Sequence, residues 1–347
     1  MLNHGGQLRQ AQRQYPLAPL PWLDLSTGIA PWTWPVPSVP VEVWQRLPEG
    51  DPELAVAARG FYRSPEAQVL AVSGSQAAIE KIPTLVPRSH VALPLWGYAE
   101  HQKAWRKAGH QLHFYRHCDE LSEWIDSGKI QHAVVINPNN PSAQWIEAAN
   151  IERWQQRLQS RDGYLLVDEA FADALPQQAA TAASLIDRNR LNLIVLRSVG
   201  KFFGLAGLRL GFVLGSQAFI ERLQTELPLW DVAHPAQWLG VQLLNDAHWH
   251  QQQRQRIENS RRELESLLRE LLPLAMADAL RSSTLFVSLF FDREALKDLH
   301  RLLAEQGIWV RFFEPQEGPA GLRFGLTDQQ GLARLRAALT SDLCRFF

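Results

Sequence analysis

Between residues 68 and 215 the chain repeats one arrangement: a short apolar run, a polar or glycine-bearing break, then a stretch whose apolar residues recur every three to four positions. The runs are "QVLAV", "SHVAL", "HQLHFY", "HAVVIN", "YLLVDEA", "LNLIVLRS" and "LRLGFVLG". Near-continuous apolar runs of this length predict strands buried on both faces, unlike the strict alternation of a sheet with one wet side. The stretches "QAAIEKIPTLV", "GYAEHQKAWRKAG", closed by Gly109, and "AANIERWQQRLQS" carry helical spacing. Strands alternating with helices predict an α/β unit, a mostly parallel, doubly wound sheet over roughly residues 50 to 230.

The flanks differ. Residues 14 to 52 are rich in proline and tryptophan, "QYPLAPLPWLDLSTGIAPWTWPVPSVP". Proline has no N–H to donate, so this stretch reads as an extended arm. Beyond residue 250, "HQQQRQRIENSRRELESLLRELL" is a long amphipathic helix. It is followed by "TLFVSLFF", the helical "REALKDLHRLLAEQG", "IWVRFF", "GLRFGL" and a last helix, "DQQGLARLRAALTSDL". This pattern predicts a smaller α+β domain to which both termini contribute. The expected division is an arm over 1–49 that joins the small domain and covers a site, a large domain over 50–230 and a small domain over 231–347. No internal repeat or low-complexity tract interrupts it.

Composition narrows the class. At 347 residues the chain exceeds one ordinary core. Its formal net charge is −1 and its cations are scattered, so neither nucleic acid nor an anionic membrane is an expected partner. The apolar residues, 46% of the chain, fall in short runs broken by charge or proline, and no membrane span is expected. The first residues, "MLNHGGQLRQAQRQ", lack the apolar stretch of a signal peptide. Cys118 and Cys344 are the only cysteines, too few for a disulfide framework or a thiolate metal site. A reducing cytoplasm is the simplest setting, and no metal is expected.

Candidate chemistry lies where the strands end. In open α/β sheets ligands bind beyond the carboxyl ends of the strands. Four such loops carry polar residues: "SGSQ", "NPNNPS", "DEAF" and "RSVGK". Taken singly, Gly74 is a turn residue, Asn140 a turn initiator before Pro141, Asp168 a helix cap and Lys201 a loop lysine. Lys201, however, sits in the apolar, glycine-punctuated stretch "LRSVGKFFGLAGLRLGF". Lysine is among the residues least often buried, so these surroundings ask for a partner or a function.

Taken together, "SGSQAAI", "PLWGYAEH", "NPNNPS", "VDEAF" and "SVGKFFGLAGLRLGF" resemble the aspartate-aminotransferase fold, fold type I of the pyridoxal 5'-phosphate enzymes. The resemblance covers nearly the whole chain. It implies that Lys201 carries the cofactor, which suits an amine shielded from water and so more readily neutral. It implies that Asp168 pairs with the pyridine nitrogen and that Asn140 meets the ring's phenolic oxygen. Trp96, with Tyr98 close by in sequence, falls where the family stacks an aromatic ring on the cofactor. Ser198, Arg209 and the backbone N–H groups of Ser75 and Gln76 would hold the cofactor phosphate at a helix N-terminus. Arg323 in "GLRFGL" matches the small-domain arginine that binds the substrate carboxylate.

Two departures stand out. Phe171 occupies the position where many aminotransferases of this fold carry a tyrosine, so that phenolic donor is absent. Leu47-Pro48 stands where histidinol-phosphate aminotransferases have a tyrosine-proline pair whose tyrosine reaches the neighbouring subunit's cofactor phosphate. A homodimer is still expected. The N-terminal His4, Gly5 and Gly6, with "LDLSTGIAPW", resemble the branch of the family that decarboxylates L-threonine O-3-phosphate in cobalamin biosynthesis, where this arm helps bind the substrate phosphate. A glycine pair lets backbone approach an anion closely, and a nearby histidine can donate to it. Two other functions remain open at this point. A histidinol-phosphate-type aminotransferase shares these loops and an anionic substrate. A cofactor-binding regulatory module is disfavoured, because no DNA-binding segment flanks the site.

Overall fold

Every residue of the strand His132–Ile136, and all of Leu165–Asp168 and Gly211–Gly215, is buried. Strands that meet water on neither face need cover on both, and the architecture follows from that need. The computed structural model describes residues 5–177, 179–186, 190–314 and 319–342. Its strands are β1 (Leu23–Leu25), β2 (Gln68–Val72), β3 (His90–Pro94), β4 (Gln111–Tyr115), β5 (His132–Ile136), β6 (Leu165–Asp168), β7 (Leu193–Ser198), β8 (Gly211–Gly215), β9 (Leu280–Ser283), β10 (Phe286–Phe291), β11 (Ile308–Phe313) and β12 (Ala320–Gly325).

The chain divides into two units. The larger comprises Thr33–Asn140 and Gln144–Gln251. Its seven strands lie in the order β2-β8-β7-β6-β5-β3-β4. All neighbours are parallel except β8, which runs antiparallel to both β2 and β7. The reversal has a local cause: residues 199–210 between β7 and β8 hold only the short helix Val199–Phe202 and a 3-10 turn, Ala206–Leu208. That is too little chain for a crossover helix back to a parallel start. One core of this unit includes Trp105, Ile79, Ile82, Val134, Leu166 and Phe219.

Helices Ser75–Leu85, Ala99–Lys107 and Ala148–Gln159 match the periodic segments of the sequence. Two further helices of this unit carry weaker signals. Cys118–Ser127 buries only Leu121 and Ile125 among many polar residues, and Gly128 ends it in the left-handed region. Pro52–Tyr62 follows the proline-rich arm and is capped by Asp51, whose carboxylate accepts from the N–H groups of Glu53 and Leu54.

The smaller unit comprises the residues up to Trp32, Pro141–Ala143, and those from Gln252 onward. Its sheet has the order β1-β11-β12-β10-β9, antiparallel except for the β1–β11 pair. The stretch expected to be an extended arm thus contains a strand, β1, and a short helix, Val41–Gln45. The segment before it forms the helix Leu8–Gln14. Among the described residues no helix is long and apolar enough to cross a membrane.

Buried histidine holds part of the large core together. His132 accepts a hydrogen bond at Nδ1 from the Tyr164 N–H (3.2 Å) and its Nε2 donates to the Pro87 carbonyl (2.8 Å), the pattern of a neutral ring. Burial pushes its pKa from 6.5 down to about 4. The unfolded chain therefore binds the extra proton first as pH falls. Stability should drop by about 1.4 kcal/mol per pH unit between roughly pH 6.5 and 4 on this account, and be recovered above that window. Denaturant unfolding at pH 7, 6 and 5 checks it: His132→Gln should be less stable at pH 7 yet show a shallower fall with acid than the parent.

Candidate active site

The site begins at a glycine. Gly74 has φ +80°, and a Cβ there would sit 2.6 Å from Nη2 of Arg209. The helix Ser75–Leu85 starts immediately after it, with no side chain capping its first turn. Helix geometry leaves the N–H groups of Ser75 and Gln76 outside intrahelical bonding, where they carry partial positive charge. Gly211, the first residue of β8, closes the same corner: a Cβ there would lie 2.7 Å from the Ser75 nitrogen and 2.9 Å from the Arg197 carbonyl oxygen. Arg209, itself at φ +53°, points its guanidinium toward this helix start. A cation facing a helix N-terminus is a repulsive pair that an anion relieves. The preceding residue is pinned, because Ser73 donates its N–H (2.8 Å) and hydroxyl (2.7 Å) to the Asp231 carboxylate.

Asp168 ends β6 and is buried. One carboxylate oxygen accepts from the Ala170 N–H (3.0 Å), and the other lies 2.9 Å from Nε2 of His101, itself 1% exposed. His101 was not among the residues expected from the sequence. It stands on helix Ala99–Lys107, three residues after Tyr98, whose ring meets it edge-on at 6.3 Å. No local pattern marks it, because Asp168 lies 67 residues away in the sequence. The Tyr98 hydroxyl donates to the Gln76 side-chain oxygen (3.1 Å), so a chain of contacts runs from the anion corner through Tyr98 and His101 to Asp168. Trp96 is held differently, its carbonyl accepting from the Asn139 amide (2.6 Å).

Lys201 is half-buried on the short helix Val199–Phe202, and its Nζ lies 5.7 Å from the centre of the Phe171 ring. Ser198 ends β7 directly before that helix. Asn140 follows a turn braced by the paired bonds of Asn137 with Ile146 (2.9 Å each). β2, β3, β5, β6 and β7 all run the same way, so the loops bearing Ser75 and Gln76, Trp96, Asn140, Asp168 and Lys201 leave one edge of the sheet.

The smaller unit has its own cationic centre. Arg323 lies on the central strand β12, 2% exposed, and donates from Nη2 to the Ser26 carbonyl (2.6 Å). Directly opposite it in register on β11 stands Arg311. Burial, then the Arg311 charge, push the Arg323 pKa down to about 9, with Asp24 opposing. An arginine under such pressure is stabilised by an anion. Against this pair lies the N-terminal stretch: Gly6 N–H donates to the Ser26 hydroxyl (2.8 Å), and a Cβ on Gly5 would collide with the Ser26 carbonyl and approach Arg323 Nη2 to 3.5 Å. His4 lies outside the described residues. Arg311 was not expected from the sequence, because its importance comes from the register.

The chain belongs to the aminotransferase class I and II family, whose model matches residues 47–339. It is 44% identical to the threonine-phosphate decarboxylase of Pseudomonas aeruginosa over 98% of this chain and 97% of that protein. It is 35% identical to the threonine-phosphate decarboxylase of a Sinorhizobium species, covering 97% of each. Among solved structures, histidinol-phosphate aminotransferase from Sinorhizobium meliloti, in complex with pyridoxal-5'-phosphate, superposes with a TM-score of 0.79 at 21% identity, over 100% of this chain and 96% of that one.

The residues present fit that cofactor. The corner where Arg209 meets the uncapped helix start at Ser75 has the charge for a phosphate dianion, a side chain at Gly211 would press on the Ser75 nitrogen, and Asp168 keeps lone pairs for a ring N–H beyond its bonds to His101 and Ala170. Gly211→Ala should therefore weaken binding of pyridoxal phosphate to the cofactor-free protein by about tenfold or more, equivalent to about 1.4 kcal/mol. Equilibrium titration of the stripped protein measures this, and an unchanged Kd would show that the corner does not receive the phosphate.

Proposed function

We propose that the protein decarboxylates L-threonine O-3-phosphate to (R)-1-aminopropan-2-ol O-phosphate, with pyridoxal 5'-phosphate as cofactor, in cobalamin biosynthesis. The observation that carries the choice of reaction is the 44% identity to a threonine-phosphate decarboxylase over nearly the full length of both chains. The geometry supports the two things such an enzyme needs, an anion corner, a buried carboxylate and a half-buried lysine on loops at one edge of the large unit's sheet, and a second cationic centre in the small unit.

In this reading Ser75, Gln76, Ser198 and Arg209 hold the cofactor phosphate, Lys201 holds its reactive carbon, and Asn140 meets the phenolic oxygen. Tyr98, tied to both Gln76 and His101, is a better platform for the ring than Trp96. The bound cofactor supplies an electron sink conjugated to the substrate's Cα. Asp168, oriented by His101, keeps a proton on the ring nitrogen by its charge. Arg323 grips the substrate carboxylate, which decides which bond to Cα breaks, while the arm at Gly5 and Gly6 and the Arg311 charge favour the substrate phosphate. The carbon–carboxylate bond breaks, carbon dioxide leaves, and Lys201 Nζ or a water returns a proton to Cα. Phe171 offers no hydroxyl near the lysine, so its part is to shield the amine from water.

The protein acts as a homodimer in the cytoplasm. Support for the dimer comes from a groove of about 780 Å³ on the large unit whose lining includes Leu229 and Trp230, exposed by 82% and 58%. Leu47, at the position of the absent cross-subunit tyrosine, is 62% exposed and directly precedes Pro48, which lines the same groove. Exposed apolar residues gathered in one groove mark an interaction surface. Sedimentation should give twice the chain mass, and Leu229→Glu with Trp230→Glu should shift it toward the monomer.

The deciding assay is carbon dioxide release from threonine phosphate. The enzyme should release it and keep its cofactor in the aldehyde form, while Lys201→Ala should be inactive yet folded. Removing residues 1–6 should raise KM for threonine phosphate about tenfold or more, since each lost contact to a dianion costs about 1–3 kcal/mol. Stoichiometric pyridoxamine phosphate, or brisk amino transfer from glutamate to imidazole-acetol phosphate, would instead establish an aminotransferase.

A further inference from the structure

Arg197, Glu169 and Asp173 are 4%, 0% and 3% exposed, yet none of them has a part in the chemistry above. Arg197 donates from Nη1 to Glu169 Oε2 (2.6 Å) and from Nη2 to Asp173 Oδ1 (2.5 Å), and its guanidinium lies 4.5 Å from the centre of the Tyr62 ring. Glu169 also accepts from the N–H groups of Ala182 (2.6 Å) and Ala183 (3.2 Å). Taking three charges out of water costs about as much as their attraction returns, so such a cluster is a poor source of stability. What it supplies is fixed geometry.

Its placement shows what is fixed. Glu169 directly follows Asp168, and Arg197 directly precedes Ser198 and stands four residues before Lys201. Asp173 belongs to the 3-10 turn Ala172–Ala174, which follows Phe171, the residue whose ring faces Lys201. Successive side chains leaving a strand point to opposite sides. Asp168 accordingly meets His101 while Glu169 meets Arg197. The backbone adds one bond across the same junction, from Glu169 N–H to the Leu196 carbonyl (2.9 Å). The Arg197 carbonyl, in turn, is one of the walls that keep Gly211 free of a side chain.

We infer that Arg197 is a positioning residue: its two-pronged guanidinium clamps the Asp168 loop, the Phe171 turn and the strand leading to Lys201 into one geometry, so that the carboxylate and the amine meet opposite ends of one cofactor. The inference rests on Asp168 and Lys201 being the cofactor's partners. Lysine carries the same charge but cannot serve two carboxylates on separate segments with a rigid planar fork. The clamp therefore depends on arginine's shape as well as its charge.

The test compares the wild type with Arg197→Lys and, should that variant not fold, with Asp173→Ala, which removes the acceptor of one prong. Four quantities are read: thermal midpoint, Kd of the stripped protein for pyridoxal phosphate, the pH midpoint of the bound cofactor's visible absorption band, and kcat against KM for threonine phosphate. A positioning role predicts that kcat falls about tenfold with KM within about twofold, and that cofactor Kd and the band's pH midpoint both move, because misplacement by a fraction of an ångström is felt mainly at the reacting centre. If a folded variant shows a lower thermal midpoint but unchanged Kd, band midpoint and kcat, the cluster is structural only and the inference is overturned. A wild type that binds no cofactor would overturn the functional reading itself, and this inference with it.

Discussion

A sheet buried on both faces cannot leave backbone groups unpaired, and that constraint shapes the large unit. It requires continuous ladders between neighbouring strands, and where those strands run parallel their carboxyl ends share one edge. Five loops with polar residues leave that edge because β2, β3, β5, β6 and β7 share a direction. The one reversed strand, β8, contributes too: since it enters at this edge, its first residue, Gly211, lies against Ser75 and the Arg197 carbonyl. The reversal is what brings Gly211 to the start of the helix Ser75–Leu85.

The notable charged groups of the two units are each held by a different device. Asp168 is buried but shares its charge with His101 and a backbone N–H. Arg209 is exposed, and what restrains it is the left-handed backbone that aims it at the helix start. Arg197 and its two carboxylates are fully buried, where burial raises the pKa of Glu169 and the neighbouring arginine opposes the shift. Arg323 is the least comfortable, buried beside a second arginine with Asp24 as the partial remedy. In the first three arrangements a partner or the backbone fixes the group, whereas in the fourth the positive charge is only partly balanced.

Family membership and local chemistry agree on the cofactor and diverge on what they can say about the reaction. The loops proposed to hold pyridoxal phosphate belong to a family whose relatives here include both aminotransferases and decarboxylases. Discrimination lies in how the substrate's carboxylate and phosphate are held, the part proposed above for Arg323, Arg311 and the glycine pair. These residues come from the first and last parts of the sequence, so the contacts that join the two parts span most of the chain.

Much of the large sheet was legible from the chain, because a strand such as Gln68–Val72 or His132–Ile136 announces itself by its own apolar residues. The helices Cys118–Ser127 and Pro52–Tyr62 were not, since the first buries few side chains and the second follows a proline-rich stretch. The loop motifs around Gly74, Asn140, Asp168 and Lys201 were visible as strings, since backbone chemistry there demands glycine, asparagine or aspartate at particular steps. Their partners were not visible. His101 matters because a helix brings it to Asp168, Arg311 because the β11–β12 register sets it against Arg323, and Arg197 because two segments fold back onto its guanidinium. The sequence by itself determined the strand-and-helix alternation and the loop chemistry, both of which depend on near neighbours along the chain. Only the tertiary structure decided which charges meet, because electrostatic and hydrogen-bonding partners are set by distance in space, and residues 67 apart, as His101 and Asp168 are, share no local pattern.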